Sequence, residues 1–490
     1  MSRADAKKQA PRRAVLLAQG VWLIALLLAA CWLFQCTIAL QHAPVNSDAG
    51  FYLSVARDLN SGEALYRDVA VGYTPFGLYV LAAWQWLLGP SGGYGSSLLL
   101  IFLAELFCGL LFFFTLKPIC RNTAARAALS ATLLCFFYSY EGVYIVLEPL
   151  VVAAMLCTLL LLQRGRSRIA DITAGAFAVI AFLTKQYGLV CIPAGLGYLI
   201  AEKNGERYRQ RIVWFIVGAI LPAAVFFIML AVLPHDIRLR TLHHLAGGSY
   251  AGETIPSPGF FKRIALDFLF LLLLPFMGVF SRSLPRPTVA FWGVVSLLLV
   301  PTLIFQQFLH YVLLLIPGFL ALGATILDWA ATAPRRPLFL LLAKMLLAAS
   351  LAFSLVRMNQ EGASFRLRAA RADQEGSTAA VCGLIPPMAS AVIFADPSYF
   401  YRCRLKSVFP AEWGYTFLPN LPVEVIERSL NKATVVIVDP HHELYSIRQQ
   451  ERLAQNGIYL SRLLHEQFLL RSDPGNSSLD VWQRRETRPL

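Results

Sequence analysis

The chain has 490 residues, 57% of them hydrophobic and 15% charged, with a net charge of +14 and a mean hydropathy of +0.58. A soluble fold of this length cannot hide so much apolar surface, and the longest runs exceed what a core helix needs. The basic residues sit in short clusters between apolar runs, which is a topology signal and excludes nucleic acid as their partner.

A basic start (Arg3, Lys7, Lys8, Arg12, Arg13) precedes the first apolar run, 14–40. Leu28-Ala29-Ala30-Cys31 has the form of a lipoprotein processing site, but the run continues through Trp32 to Leu40. It therefore reads as an uncleaved first span instead of a signal core. Further runs follow at roughly 96–116, 127–143, 145–162, 170–184, 187–201, 212–233, 264–281, 288–305, 311–328 and 337–356. Every second connection is basic: Lys117, Arg121 and Arg126; then Arg164, Arg166 and Arg168; then Lys203 to Arg211. Arg282 with Arg286, and Arg335 with Arg336, complete the series. This alternation predicts a polytopic α-helical membrane protein of about eleven spans in a bacterial inner membrane. Residues 1–13 are then cytoplasmic, 14–356 form the transmembrane domain, and 357–490 lie outside.

The stretch 75–90 is apolar but short and bounded by prolines. A span there would turn the later basic loops outward, so it is expected to be an aromatic-rich helix along the outer interface. Residues 41–95 then form one long external loop, and 235–262 a second. Beyond 357 the texture changes. Ala380–Val381, Ala391–Ala395 and Ala433–Val438 read as strands, and a polar helix is expected over about 442–456, giving a small extracytoplasmic α/β domain. None of the nine cysteines has metal-ligand spacing, and most lie in or beside apolar runs. Only Cys382 and Cys403 fall in the C-terminal domain, where an oxidising compartment would let them pair.

The first external loop carries the chemistry. Asp48 sits just beyond the first span, ahead of an amphipathic pattern (Phe51, Val55, Leu59). Gly62-Glu63-Ala64-Leu65-Tyr66-Arg67-Asp68-Val69 follows, then Tyr73-Thr74-Pro75-Phe76-Gly77-Leu78-Tyr79. Leu183 to Gly188 (LTKQYG) and His310-Tyr311 through Pro317 stand at later outer helix ends. In order and spacing these segments resemble the GT-C membrane glycosyltransferases, in particular the family of protein O-mannosyltransferases and lipid A aminoarabinose transferases (glycosyltransferase family 39). In that family an acid after the first helix, a "GG-x-x-Y-R-D-V" segment, a "K-P-P-L-x-Y" helix and a "TKQ-x-G" segment occur in this order. The resemblance covers the whole chain. It departs at Tyr73-Thr74-Pro75, which stands where many members carry Lys-Pro-Pro.

The resemblance implies a GT-C type fold and inverting transfer of a sugar from a polyprenyl-phosphate donor to a lipid, glycan or protein acceptor on the outer face. Such a donor is membrane-bound, and the sequence shows neither G-x-G-x-x-G nor a P-loop. The acceptor hydroxyl needs a base, for which Asp48 is the candidate against the plainer role of helix cap. The departing phosphate needs cations: Lys185 and His310, with Arg57 or Arg67 as alternatives. Lys185 could instead snorkel, and His310 be simply hydrogen-bonded. Glu148 is expected to contact the acceptor or a divalent ion; no other cofactor is called for. Glu105 lies inside a span with no partner evident, so it is either functional or a buried structural hydrogen bond. His441-His442-Glu443 reads as a turn opening a helix, His243-His244 as solvated, and Asn476-Ser477-Ser478 as a sequon without a pathway. The rival readings are a transporter or flippase of lipid-linked saccharides, a polysaccharide polymerase or ligase, and a scaffold presenting its external domain. The first predicts symmetric halves with broken midplane helices, which the sequence does not show.

Overall fold

The computed structural model describes residues 3–69, 71–89, 93–165, 167–202, 207–245, 258–269, 286–305, 308–332, 337–375, 377–408, 423–438, 462–471 and 479–485. The chain divides into two compact units. The first comprises Met1–Ala43, Leu98–Phe227 and Glu253–Arg366; the second comprises Pro44–Ser97, Ile228–Gly252 and Leu367–Leu490.

The first unit is helical. It draws on α1 (Arg3–His42), α4 (Tyr94–Thr115), α5 (Thr123–Phe137), α6 (Glu148–Arg164), α7 (Arg168–Thr184), α8 (Cys191–Glu202) and α9 (Arg207–Ala231). Later come α11 (Pro258–Asp267), α12 (Arg286–Phe305), α13 (Ile316–Thr332) and α14 (Pro337–Glu375). Among the described residues, four stretches are long and apolar enough to cross a membrane: Gln19–His42, Tyr94–Thr115, Arg207–Ala231 and Arg286–Ile304. Large apolar side chains stay exposed along them, such as Leu26 at 64% and Leu221 at 73%. Water would not tolerate that surface; acyl chains match it. The protein is a membrane protein.

Several boundaries differ from the hydropathy reading. The run 127–143 ends as helix at Phe137. The runs 170–184 and 187–201 become α7 and α8 with a 3₁₀ turn, Gln186–Val190, between them. The run 311–328 opens as a 3₁₀ segment, Leu309–Leu314, before α13. The last helix continues through 357 to Glu375. Most of the run 264–281 lies outside the described residues.

The second unit joins α2 (Ser47–Asn60), α3 (Pro75–Leu88) and α10 (His235–Leu245) to a C-terminal α/β part. α2 is buried on nearly every side, including Tyr52, Leu53 and Ala56 besides Phe51 and Val55, and so departs from the one-faced pattern expected. The α/β part holds α15 (Ser377–Gly383), β1 (Ser390–Phe394), α16 (Ser398–Arg402), β2 (Lys406–Ser407), α17 (Val423–Lys432), β3 (Val435–Val438), β4 (Phe468–Leu470) and β5 (Asp480–Arg484). The strands form one sheet in the order β2-β1-β3-β5-β4. β1 runs parallel to β2 and β3, while β5 is antiparallel to β3 and β4. Alternation along β1 and β3 fills two cores: Val392, Phe394 and Val436 on one face, Ala391, Ile393, Val435 and Ile437 on the other.

Ala380–Val381, expected as a strand, lies inside helix α15. Two residues carry no period, and alanine favours helix. Cys382, at the end of that helix, is disulfide-bonded to Cys403, just after α16. The helix expected over 442–456 lies outside the described residues, as do His441-His442-Glu443 and Asn476-Ser477-Ser478. The side chains of His243 and His244 are likewise outside them.

Candidate functional site

The connection from α5 to α6 builds the centre of the first unit. Helical geometry fails at Tyr140 (φ −113°, ψ 48°) and at Glu141 (φ 66°, ψ 6°). A non-glycine residue at positive φ is unusual and marks a turn held by its surroundings. Gly142 shows what holds it. A Cβ there would lie 2.2 Å from Glu105 Oε1 and 2.6 Å from the carbonyl oxygen of Phe137. Glu105 is fully buried, and the indole of Trp32 donates to its Oε2 at 3.2 Å. The acid for which the sequence offered no partner thus has one, and it packs beneath the turn.

From this turn Glu141 reaches His310, with Nδ1 2.8 Å from Oε2. A carboxylate only accepts, so Nδ1 carries the proton in that bond. The other ring nitrogen lies 3.8 Å from Oε1 of Glu148, which opens α6. The same oxygen takes the ammonium of Lys185 at 2.5 Å. Lys185 is only 2% exposed, in extended backbone between α7 and its 3₁₀ turn, and its Nζ is 5.1 Å from the ring centre of Tyr311. Tyr187 and His310 pack on Tyr311 in turn, with ring centres 4.5 Å and 4.6 Å away. Three residues singled out from the sequence, Lys185, Glu148 and His310, therefore meet in one buried ionic cluster; Glu141 is a fourth that the sequence did not reveal.

A second ionic cluster was missed altogether. Tyr140 donates to Asp267 Oδ2 at 2.5 Å, and Arg357 pairs with the same oxygen. Arg263 donates to the carbonyl oxygen of Ser139 at 2.5 Å and lies 5.0 Å above the Tyr140 ring. One signal was available: Arg263 and Arg357, like Lys185, stand at positions that the charge alternation assigns to the outer side, where basic residues are not expected.

The remaining predicted residues belong to the second unit. Asp48 lies half-buried in the first turn of α2, whose cap is Asn46, accepting from the Ala49 amide at 2.9 Å. The plainer role of cap is thereby filled by another residue. Arg57 is committed: it pairs with Asp58 at 2.9 Å and donates to the carbonyls of Phe400 at 3.1 Å and Leu405 at 2.6 Å. Burial pushes the Asp58 carboxyl above its usual range, although the Arg57 guanidinium pulls the other way. Arg67 pairs with Asp68 at 2.9 Å on the surface. Hydrogen bonds from Arg67 and the Ala64 amide hold the Asp68 carboxyl low. The buried Tyr66 donates to the carbonyl of Tyr73 at 2.8 Å, fastening the 62–69 loop to the entry of α3.

Among the described residues no group of three or more histidines, cysteines and acids is arranged to hold a metal ion.

No family model and no curated protein matches the chain. Solved structures do. ArnT from Cupriavidus metallidurans bound to undecaprenyl phosphate is similar with a TM-score of 0.60 at 16% identity, covering 94% of this chain and 98% of that one. Its apo state gives 0.57 at 15%, covering 93% and 97%. The chain has the GT-C fold. The Archaeoglobus fulgidus oligosaccharyltransferase tethered to an acceptor peptide shares the GT-C fold at a TM-score of 0.53 and 11% identity, covering 94% of this chain and 74% of its own. At these identities the likeness carries the GT-C fold alone; chemistry has to come from the residues.

Proposed function

We propose that the protein is an inverting glycosyltransferase that moves a sugar from a polyprenyl phosphate to an acceptor hydroxyl on the outer face of the membrane. The observation that carries the reading is the meeting of Lys185, Glu148 and His310, from three separate segments, in a chain with the GT-C fold. Membrane proteins keep buried ionisable groups where a charged ligand or intermediate requires them. The solved ArnT structure holds undecaprenyl phosphate, a lipid of the proposed donor's class.

In this reading the acceptor oxygen attacks the anomeric carbon, and the bond from that carbon to the phosphate oxygen breaks. Polyprenyl phosphate leaves, and the acceptor proton passes to the Asp48 carboxylate. Cations at the departing phosphate stabilise the charge it gathers. Lys185 supplies one, sharing its ammonium between Glu148 and the phosphate; His310, whose Nδ1 proton serves Glu141, donates to the phosphate through Nε2 when the ring is doubly protonated. Arg57 acts elsewhere, because its donors already serve Asp58 and two carbonyls. Arg67 keeps a place as a surface contact for a headgroup. Glu148 holds Lys185 in place and serves as a counter-charge to it.

The test is turnover of a labelled undecaprenyl-phosphate sugar by the purified protein in lipid nanodiscs, with total envelope lipid as acceptor. Wild type is expected to release undecaprenyl phosphate and label an acceptor, and Asp48→Asn to do neither. Movement of intact donor between leaflets without release of the phosphate would instead support a flippase.

A further inference from the structure

The first external helix and the C-terminal part of the second unit are joined by one short turn, and each end of the helix has its own fastening. At the N-terminal end, Arg402 donates to the carbonyl of Val45 at 2.5 Å, one residue before the Asn46 cap. A Cβ built on Gly50 would lie 2.3 Å from the Cα of Ser398, so only glycine lets the two backbones touch. At the C-terminal end, Arg57 bridges the carbonyls of Phe400 and Leu405. Beyond it, Lys406 pairs with Glu63. All four contacts fall on residues 398–406, and Cys403 within that turn is bonded to Cys382.

We propose that this disulfide-closed turn positions α2 and, through it, Asp48. The inference rests on the transferase reading for Asp48 but not for the fastening itself. Arg57 and Arg402 are then positioning residues that never touch the donor. The turn is too short to hold a shape by a core of its own; its helix, α16, has five residues. The cross-link to Cys382 removes chain freedom that would otherwise let 398–406 sample other conformations. A general base must sit within hydrogen-bond reach of the acceptor, and a misplacement of about 1 Å costs about 100-fold in rate. Loss of the clamp therefore affects the chemical step, while the donor cations Lys185 and His310, in the other unit, are left intact.

The experiment compares oxidised wild type, wild type treated with dithiothreitol, and a Cys382→Ser/Cys403→Ser variant, each full-length in nanodiscs. Amide exchange over residues 47–60 and turnover of undecaprenyl-phosphate sugar are both measured. Opening the disulfide is expected to speed exchange in α2 and lower kcat about tenfold or more, with donor KM changed by less than about twofold. Reoxidation should restore the treated wild type, and the variant should ignore the reductant. Arg57→Lys, which reaches one carbonyl instead of two, should retain more turnover than Arg57→Ala. Unchanged exchange after the bond opens would overturn the proposal, as would faster exchange with full kcat. Absent turnover in oxidised wild type would contradict the transferase reading instead, and the exchange result would still decide the clamp.

Discussion

Lys185 and Glu148, 37 residues apart in sequence, form an ion pair at 2.5 Å in which neither side chain is more than 2% exposed. Removing one partner of such a pair leaves an uncompensated buried charge, at a cost of about 3–5 kcal/mol. Lys185→Met and Glu148→Leu are each expected to lower the thermal midpoint strongly, and the double variant to regain most of it. If the double variant regains stability but not turnover, Lys185 has a function beyond the pair. Full turnover in the double variant would remove Lys185 from the donor site.

Gly142 sits over Glu105 with no room for a methyl group. Gly142→Ala forces the 138–147 turn to shift and is expected to cost about 1–3 kcal/mol, read as a lower unfolding midpoint together with lost activity. Glu105→Gln keeps an acceptor for the Trp32 indole and should stay near wild type. A Glu105→Gln variant as damaged as Gly142→Ala would show that the carboxylate charge itself is needed.

Asn46, not Asp48, caps α2. Asn46→Ala is expected to cost about 1 kcal/mol. Asp48→Asn removes a favourable first-turn charge, worth about 0.3–1 kcal/mol. Thermal unfolding of both in one detergent compares them. A larger loss for Asp48→Asn would point to a structural role for that acid.

Asp58 is buried beside Arg57, and burial outweighs that partner in pushing its carboxyl up from 3.8. A carboxyl whose folded value is raised binds its proton more tightly in the folded state. Its contribution is thus fully present below the unfolded value and is lost as pH rises from there through the folded value. Asp58→Asn cannot titrate, so its unfolding midpoint relative to wild type should climb as pH goes from about 4 to neutrality. A difference that stays flat over that range would contradict the shift.

The ionic cluster was partly legible because Lys185, Glu148 and His310 each interrupt an apolar run at an outer end. Hydropathy could not show Glu141 or Tyr140. The runs 127–143 and 145–162 look like helix throughout, and the break at 140–141 depends on Gly142 meeting Glu105 from a distant helix. Asp267 and Arg263 escape local patterns for a related reason: their partners are the tyrosine and backbone of that same turn, and Arg357 in turn pairs with Asp267. Arg57 stands in the sequence as an alternative cation for the phosphate, beside Asp48 in the same loop. In the structure it donates to carbonyls 343 and 348 residues further on, beyond the reach of any local pattern. The parallel strands β1 and β3 are visible in the sequence as the continuous apolar runs 391–395 and 433–438, whereas Ala380–Val381 is too short to carry a period.

The most direct measurement is mass spectrometry of envelope glycolipids, glycans and glycoproteins from a deletion strain complemented with wild type or with Asp48→Asn. The account predicts that one sugar modification disappears on deletion, returns with wild type, and stays absent with Asp48→Asn although that variant is made and folded. Equal restoration by Asp48→Asn would place the chemistry elsewhere and contradict the central claim.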